Sequence, residues 1–243
     1  MPERATGEQV WLCSSLQFPI DVRAVAFDLD GTLVETLPDL HEAALRMLSE
    51  IGRPAVSASL VKAYVGDGVD RLVKRLLTGL SDGEPDPVSF EKAVDNFRSH
   101  YASVLTRASH PFPGVVEALV GLRGRGCKLA CVTNKPARFT EPLLQDMGLT
   151  GYLDLVISGD TLRRKKPDPL PLLHASRVFE IEPGQMLMVG DSPADTAAAR
   201  AAGCRVFCVP YGYRGTLTLQ ELDCDAIVPT LVDILDLIRI PHS

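Results

Sequence analysis

Two rhythms of apolar residues divide the chain. Val22-Arg23-Ala24-Val25-Ala26-Phe27 is a short, nearly continuous apolar run that predicts a buried strand. It ends in Asp28-Leu29-Asp30-Gly31-Thr32, where polarity and glycine signal a loop. From Pro38 to about Ser109 the spacing changes to three and four. Leu40, Ala44, Met47 and Ile51 recur in this way, as do Val69, Leu72, Val73, Leu76 and Leu77, then Phe90, Val94, Phe97, Tyr101 and Val104. Clusters rich in Gly and Pro, notably from Ser81 to Pro87, separate these helical stretches, and no strand pattern interrupts them.

After Pro111-Phe112-Pro113-Gly114 the two rhythms alternate. Helices are predicted over Val115 to Arg125, Arg138 to Met147, Pro169 to Phe179 and Ala194 to Ala202. Strands are predicted over Lys128 to Val132, Leu155 to Ile157, Met186 to Val189 and Val206 to Val209. A short Ile227-Val228 and an apolar helix from Leu231 to Ile238 close the chain. Such alternation predicts an α/β fold, a parallel sheet with helices on both faces. The helical block, residues 37–109, is then an inserted domain, and residues 22–36 with 110–243 form one core. Residues 1–21 carry Glu3 and Glu8 and no continuous apolar run, and read as a poorly ordered lead-in rather than a secretory signal.

Composition narrows the partners. A net charge of -6 argues against nucleic acid, because the only short basic run, Arg163 to Lys166, cannot outweigh the acidic remainder. No stretch of about 18 apolar residues is present to span a membrane. The pairs Cys127/Cys131 and Cys204/Cys208 have a spacing that invites a metal, yet both fall in predicted strands. Residues four apart on a strand lie about 13 Å apart, too far to share an ion, so these thiols read as small core residues kept reduced in a cytoplasmic setting.

The chemistry collects where strands end. In an open parallel sheet ligands bind beyond the carboxyl ends of the strands. There the chain places Asp28 and Asp30, then Thr133-Asn134, then Lys165-Lys166-Pro167, then Gly190-Asp191-Ser192-Pro193-Ala194-Asp195. A hard cation such as Mg²⁺ favours carboxylates plus a substrate phosphate, and Asp28 and Asp191 supply the carboxylates. Asp28 is the expected nucleophile and Asp30 the general acid and then base, with its backbone carbonyl as a further metal ligand. Thr133 and Lys166 would neutralise charge on a transferring phosphoryl group, and Gly31 would let backbone N–H groups approach it. Each segment alone has a plain alternative. Thr133-Asn134 is common in loops, a lone Lys165 or Lys166 is usually solvated, and Ser192 before Pro193 suits a helix cap. Four such segments in order, each at a strand end, select the catalytic reading.

These residues resemble the haloacid dehalogenase superfamily, specifically its phosphatases with a small helical cap inserted after the first motif; the likeness runs from about Arg23 to Ile238. Asp28 to Leu33 matches the first motif, Thr133-Asn134 the second, Lys166-Pro167 the third, and Gly190-Asp191-Ser192 with Asp195 the fourth. The resemblance implies a Rossmann-like core, Mg²⁺ held by Asp28, Asp30 and Asp191, and Ser192 and Asp195 supporting them from behind. It also favours Lys166 over Lys165, because the family lysine directly precedes proline. Glu35 departs from the family, which usually has Asp then Ser at this hinge. Asp30 speaks against dehalogenation, since dehalogenases lack that acid.

The run Tyr64 to Val73 resembles the cap of phosphoglycolate phosphatases. In it Arg71 is placed to meet a substrate carboxylate, the plain alternative being a solvated arginine beside a Gly66-Gly68 turn. The expected substrate is a small phosphorylated metabolite, 2-phosphoglycolate first. A sugar or amino-sugar phosphate such as N-acetylmuramic acid 6-phosphate is the rival, and a phosphoacceptor module without turnover the remote one. The enzyme is expected to work in the cytoplasm as a monomer or homodimer.

Overall fold

The computed structural model describes residues 10–12 and 16–241. In chain order the strands are β1 (Trp11–Leu12), β2 (Ile20–Asp21), β3 (Ala24–Phe27), β4 (Val34–Glu35), β5 (His110–Pro111), β6 (Lys128–Val132), β7 (Leu155–Ile157), β8 (Met186–Gly190), β9 (Arg205–Cys208), β10 (Ala226–Ile227) and β11 (Ile238–Arg239). The helices are α1 (Leu37–Glu50), α2 (Ala58–Tyr64), α3 (Val69–Thr78), α4 (Pro87–Val104), α5 (Val115–Gly124), α6 (Ala137–Asp146), α7 (Leu170–Val178), α8 (Pro193–Ala202) and α9 (Ile234–Leu237).

The main sheet runs β1-β10-β9-β8-β3-β6-β7, parallel throughout except where β1 pairs antiparallel with β10. Strand period two sorts the core. Val25, Phe27, Leu129, Cys131, Leu187 and Val189 face one layer with α5 and α6, whereas Ala24, Ala26, Ala130, Met186 and Met188 face α7 and α8. Alanines on both sides of the second interface, including Ala198, Ala199 and Ala202 of α8, let helix and sheet approach closely. The central strand β3 lies between β6 and β8, with Phe27 level with Cys131 on one side and Val189 on the other. The chain visits β6 and β7 on one side of β3 and then crosses to β8 on the other. The carboxyl end of β3 is therefore a switch point, where a crevice forms.

The cap, α1 to α4, has its own core of Leu40, Met47, Val73, Phe97 and Tyr101 with their neighbours, and Phe139 of α6 joins it from below. Side-chain caps set some of its boundaries. Asp86 accepts from Ser89 N (2.9 Å) with Pro87 opening α4, and Ser57 accepts from Leu60 N (3.2 Å) at α2. The cap leaves through β4 and returns through β5, and the two strands pair antiparallel. Buried Asp39 binds the two connections together. It accepts from Ala108 N (3.0 Å), Ser109 N (2.8 Å) and Ser109 Oγ (2.6 Å).

Two expectations need correction. The poorly ordered lead-in falls partly outside the described residues, at 1–9 and 13–15, but Trp11–Leu12 and Ile20–Asp21 are strands. The closing helix is shorter than expected: a 3₁₀ turn over Leu231–Asp233 precedes α9, and Ile238–Arg239 instead extends to pair with β2. Cys127, Cys131, Cys204 and Cys208 are buried and unbridged, and burial pushes the Cys127 and Cys204 thiols up to about 12. Among the described residues, no helix is long and apolar enough to cross a membrane.

Candidate active site

Strand ends bring the predicted residues together. Asp28 follows β3 directly, and its N–H donates to Val189 O of β8 (2.9 Å), which fixes it beside the β8 terminus. Carboxylate oxygens of Asp28, Asp191 and Asp195 lie within 4.8 Å of one another, all buried. Lys166 enters from the loop after β7, is 2% exposed, and donates to Asp28 Oδ1 (2.7 Å) and Asp195 Oδ1 (2.6 Å). Lys165 reaches away to Asp67 O of the cap (2.7 Å). The buried ammonium at the acids is thus that of Lys166.

The three acids have different surroundings. Asp195 closes a capping box at the start of α8: its Oδ2 accepts from Asp191 N (3.1 Å), Ser192 N (3.0 Å) and Ser192 Oγ (2.6 Å). With Lys166 on the other oxygen, Asp195 is already committed to donors and positions its neighbours. Asp191 accepts from Tyr213 N, and glycine surrounds it. A Cβ on Gly31 or Gly212 would run into Asp191 Oδ2. Gly31 also needs glycine for its φ of 87°, and its N–H goes to Val34 O (2.9 Å). Its own N–H is used within the turn, whereas the N–H groups of Leu29 and Asp30 in the same turn make no backbone hydrogen bond among those described.

Charge is expensive here. Burial pushes the Asp28 carboxyl up to about 7, the Lys166 ammonium pulls it down, and Asp195 and Asp30 add to the rise. Burial also drives Asp191 well above the carboxylate range, with Asp28 and Asp195 adding to it. Burial opposes the Lys166 charge, but Asp195 and Asp28 outweigh it and hold the ammonium above its usual range. Three clustered carboxylates against one ammonium leave an excess of negative charge among oxygen donors alone. That donor set fits a hard divalent cation, and Asp28 and Asp191 are the carboxylates free to hold one.

A cavity of about 40 Å³ lies over this floor. Asp28, Asp30, Thr133, Asn134 and Lys135 line it from the core; Leu40, Val65, Val69 and Leu72, with Gly66 and Gly68, line it from the cap. Asp30 Oδ1 accepts from Thr36 Oγ1 (2.7 Å) and Lys135 Nζ (2.8 Å). Thr133 Oγ1 accepts from Lys135 N (3.2 Å), which leaves the hydroxyl proton available. Asn134 ties cap to core, donating to Gly66 O (3.0 Å) and Lys166 O (2.9 Å), while its Oδ1 is buried without a partner.

Arg71 goes elsewhere. It is paired with Glu84 (3.4 Å) and does not line the cavity, because Val69, Leu72, Val73 and Leu76 occupy the buried stripe of α3. Lys135 was not foreseen, although it directly follows Thr133-Asn134 at the end of β6. Tyr101 of α4 and Asp30 bury it, and neither is near it in sequence. At the hinge, Glu35 accepts from the Tyr213 hydroxyl and from Leu37 N (3.1 Å).

A family model described as haloacid dehalogenase-like hydrolase matches residues 22–203. The phosphoglycolate phosphatase of Thiobacillus denitrificans is 52% identical over 216 residues, covering 89% of this chain and 95% of that protein. That of Nitrosospira multiformis is 50% identical over 224 residues, covering 92% and 99%. The crystal structure of a predicted phosphoglycolate phosphatase from Haemophilus somnus superposes with a TM-score of 0.83 at 34% identity, covering 88% of this chain and 96% of that one.

Proposed function

The chain belongs to the haloacid dehalogenase-like hydrolases, and from that premise we propose that it is a Mg²⁺-dependent phosphatase. Its substrate is 2-phosphoglycolate, and the phosphoryl group passes through Asp28 on its way to water. One observation carries this reading: buried Asp28 sits against Lys166 and Asp191 on the floor of a small capped cavity. The names of relatives at 52% and 50% identity support the substrate.

Each residue has a role in the reaction. Lys166 holds one oxygen of Asp28, and the other attacks phosphorus as the ester P–O bond breaks. Asp30, steadied by Thr36 and Lys135, gives its proton to the departing glycolate oxygen. In the second half-reaction Asp30 takes a proton from water. That water attacks phosphorus and breaks the bond to Asp28, releasing inorganic phosphate. The Thr133 hydroxyl and the Lys166 ammonium stabilise charge spreading over the equatorial oxygens. Mg²⁺, when held by Asp28, Asp191 and the Asp30 carbonyl, neutralises further negative charge. A cytoplasmic setting suits the unbridged cysteines.

Phosphate release should be measured from 2-phosphoglycolate, a hexose phosphate and N-acetylmuramic acid 6-phosphate, with Mg²⁺ and with chelator. The expected result is Mg²⁺-dependent turnover with kcat/KM for 2-phosphoglycolate at least ~10-fold above the others. A preference for either sugar phosphate would reject the substrate. Stable phosphorylation of Asp28 without phosphate release would reject the hydrolase reading altogether.

A further inference from the structure

The chemistry of phosphoryl transfer leaves the acid end of such a substrate without a partner. The cap lines the cavity with Leu40, Val65, Val69 and Leu72, and an anion buried among carbons is costly unless a cation or donors meet it. The nearby cations are mostly committed. Lys166 is shared between Asp28 and Asp195, Lys165 donates to Asp67 O, Lys62 to Tyr211 O (3.0 Å), and Arg71 pairs with Glu84.

Lys135 differs in place. It lines the cavity, and its ammonium carries three hydrogens. Asp30 Oδ1 (2.8 Å) and the Tyr101 hydroxyl (2.6 Å) account for two directions, and the Tyr101 ring lies 4.6 Å from the nitrogen. One direction remains. Thr133, which lines the same cavity at the phosphoryl end, is two residues away, so Lys135 enters the site from the same strand end. Opposite, Gly68 opens α3 without a side-chain cap, so the first-turn N–H groups present their positive end beside the cavity residues Gly68 and Val69.

We propose that Lys135 is a specificity-determining residue whose ammonium, together with the first turn of α3, receives the carboxylate of the substrate. The enzyme thereby selects phosphomonoesters with an anionic group one carbon from the ester oxygen. The proposal rests on the phosphatase reading above.

The test compares kcat/KM for 2-phosphoglycolate with that for its neutral amide, 2-phosphoglycolamide, in wild type, Lys135→Met and Lys135→Arg. Lys135 also steadies Asp30, so Lys135→Met slows both substrates; the informative quantity is their ratio, which does not depend on how much protein folds. Wild type is expected to favour the acid. Lys135→Met should cut the acid-to-amide ratio about 10- to 100-fold, and Lys135→Arg should retain most of it. A ratio unchanged in Lys135→Met overturns the assignment and leaves the residue as a support for Asp30. A wild type that hydrolyses other phosphoesters but not 2-phosphoglycolate overturns the underlying reading, and the proposal with it.

Discussion

The floor and the roof of the cavity are built by opposite means. On the floor, every charged group is held by a partner from a distant segment: Lys166 by Asp28 and Asp195, Asp30 by Thr36 and Lys135, Asp191 by Tyr213 N. The roof is a row of carbons, Leu40, Val65, Val69 and Leu72, that continues into the hydrophobic core of the cap. Hydrogen bonds direct atoms to particular points and tolerate crowded charge, whereas apolar burial gives shape and excludes water without directing anything. The floor therefore concentrates charge at the expense of stability, and the roof contributes stability and shape.

Substitutions on the two sides should dissociate these properties. Asp28→Asn removes the carboxylate proposed as nucleophile and should lower kcat by about 10⁴-fold or more, while thermal melting shows the fold intact. Melting that collapses along with activity would erase the distinction. Leu72→Ala, on the buried roof, should do the reverse. It is expected to cost about 2–5 kcal/mol of stability, leave kcat for 2-phosphoglycolate within about threefold, and raise the relative rate on a hexose phosphate severalfold. A Leu72→Ala enzyme with unchanged substrate range would show that the roof does not gauge size.

The smallest effect concerns pH in the metal-free protein. Asp28 has a native pKa of about 7, above the value of about 4 expected when unfolded. Between those values the native state keeps a proton that the unfolded chain releases, so the contribution of Asp28 to stability falls as pH rises through this window. Asp28→Asn lacks that titration. In chelator, its Tm relative to wild type should rise by a few degrees from pH 4 to pH 7, with about 4 kcal/mol, the equivalent of three pKa units, as the ceiling, and level off above. A constant difference in Tm across that range would remove the view that the floor is charged against its own stability.

How much of this was readable in the sequence followed from the same division. Asp28, Thr133, Lys166 and Asp191 stand just beyond apolar strand runs, so parallel-sheet geometry alone brings them to one edge. Asp195 was placed behind the cluster, and the capping box accounts for that position. Lys135 escaped because nothing local distinguishes it from a solvated lysine before a proline; its burial depends on Tyr101 and Asp30, 34 and 105 residues away. The glycine-rich surroundings of Arg71 suggested a binding loop, whereas α3 begins at Val69 and Arg71 pairs with Glu84. The edge strand Trp11–Leu12 is two residues long, too short for alternation to register. Helices and strands of the core matched closely because each apolar run met a complementary layer.

The paired connections of the cap govern how the cavity can open. With β4 and β5 joined in one ladder, Asp39 bridging to Ala108 and Ser109, and the Tyr213 hydroxyl gripping Glu35, Thr36 N and Leu37 N, the two tethers cannot slide past each other. Only bending of that ribbon is left. Any opening of the cap would then turn the four helices together about that ribbon, with the widest gap forming at the rim farthest from it.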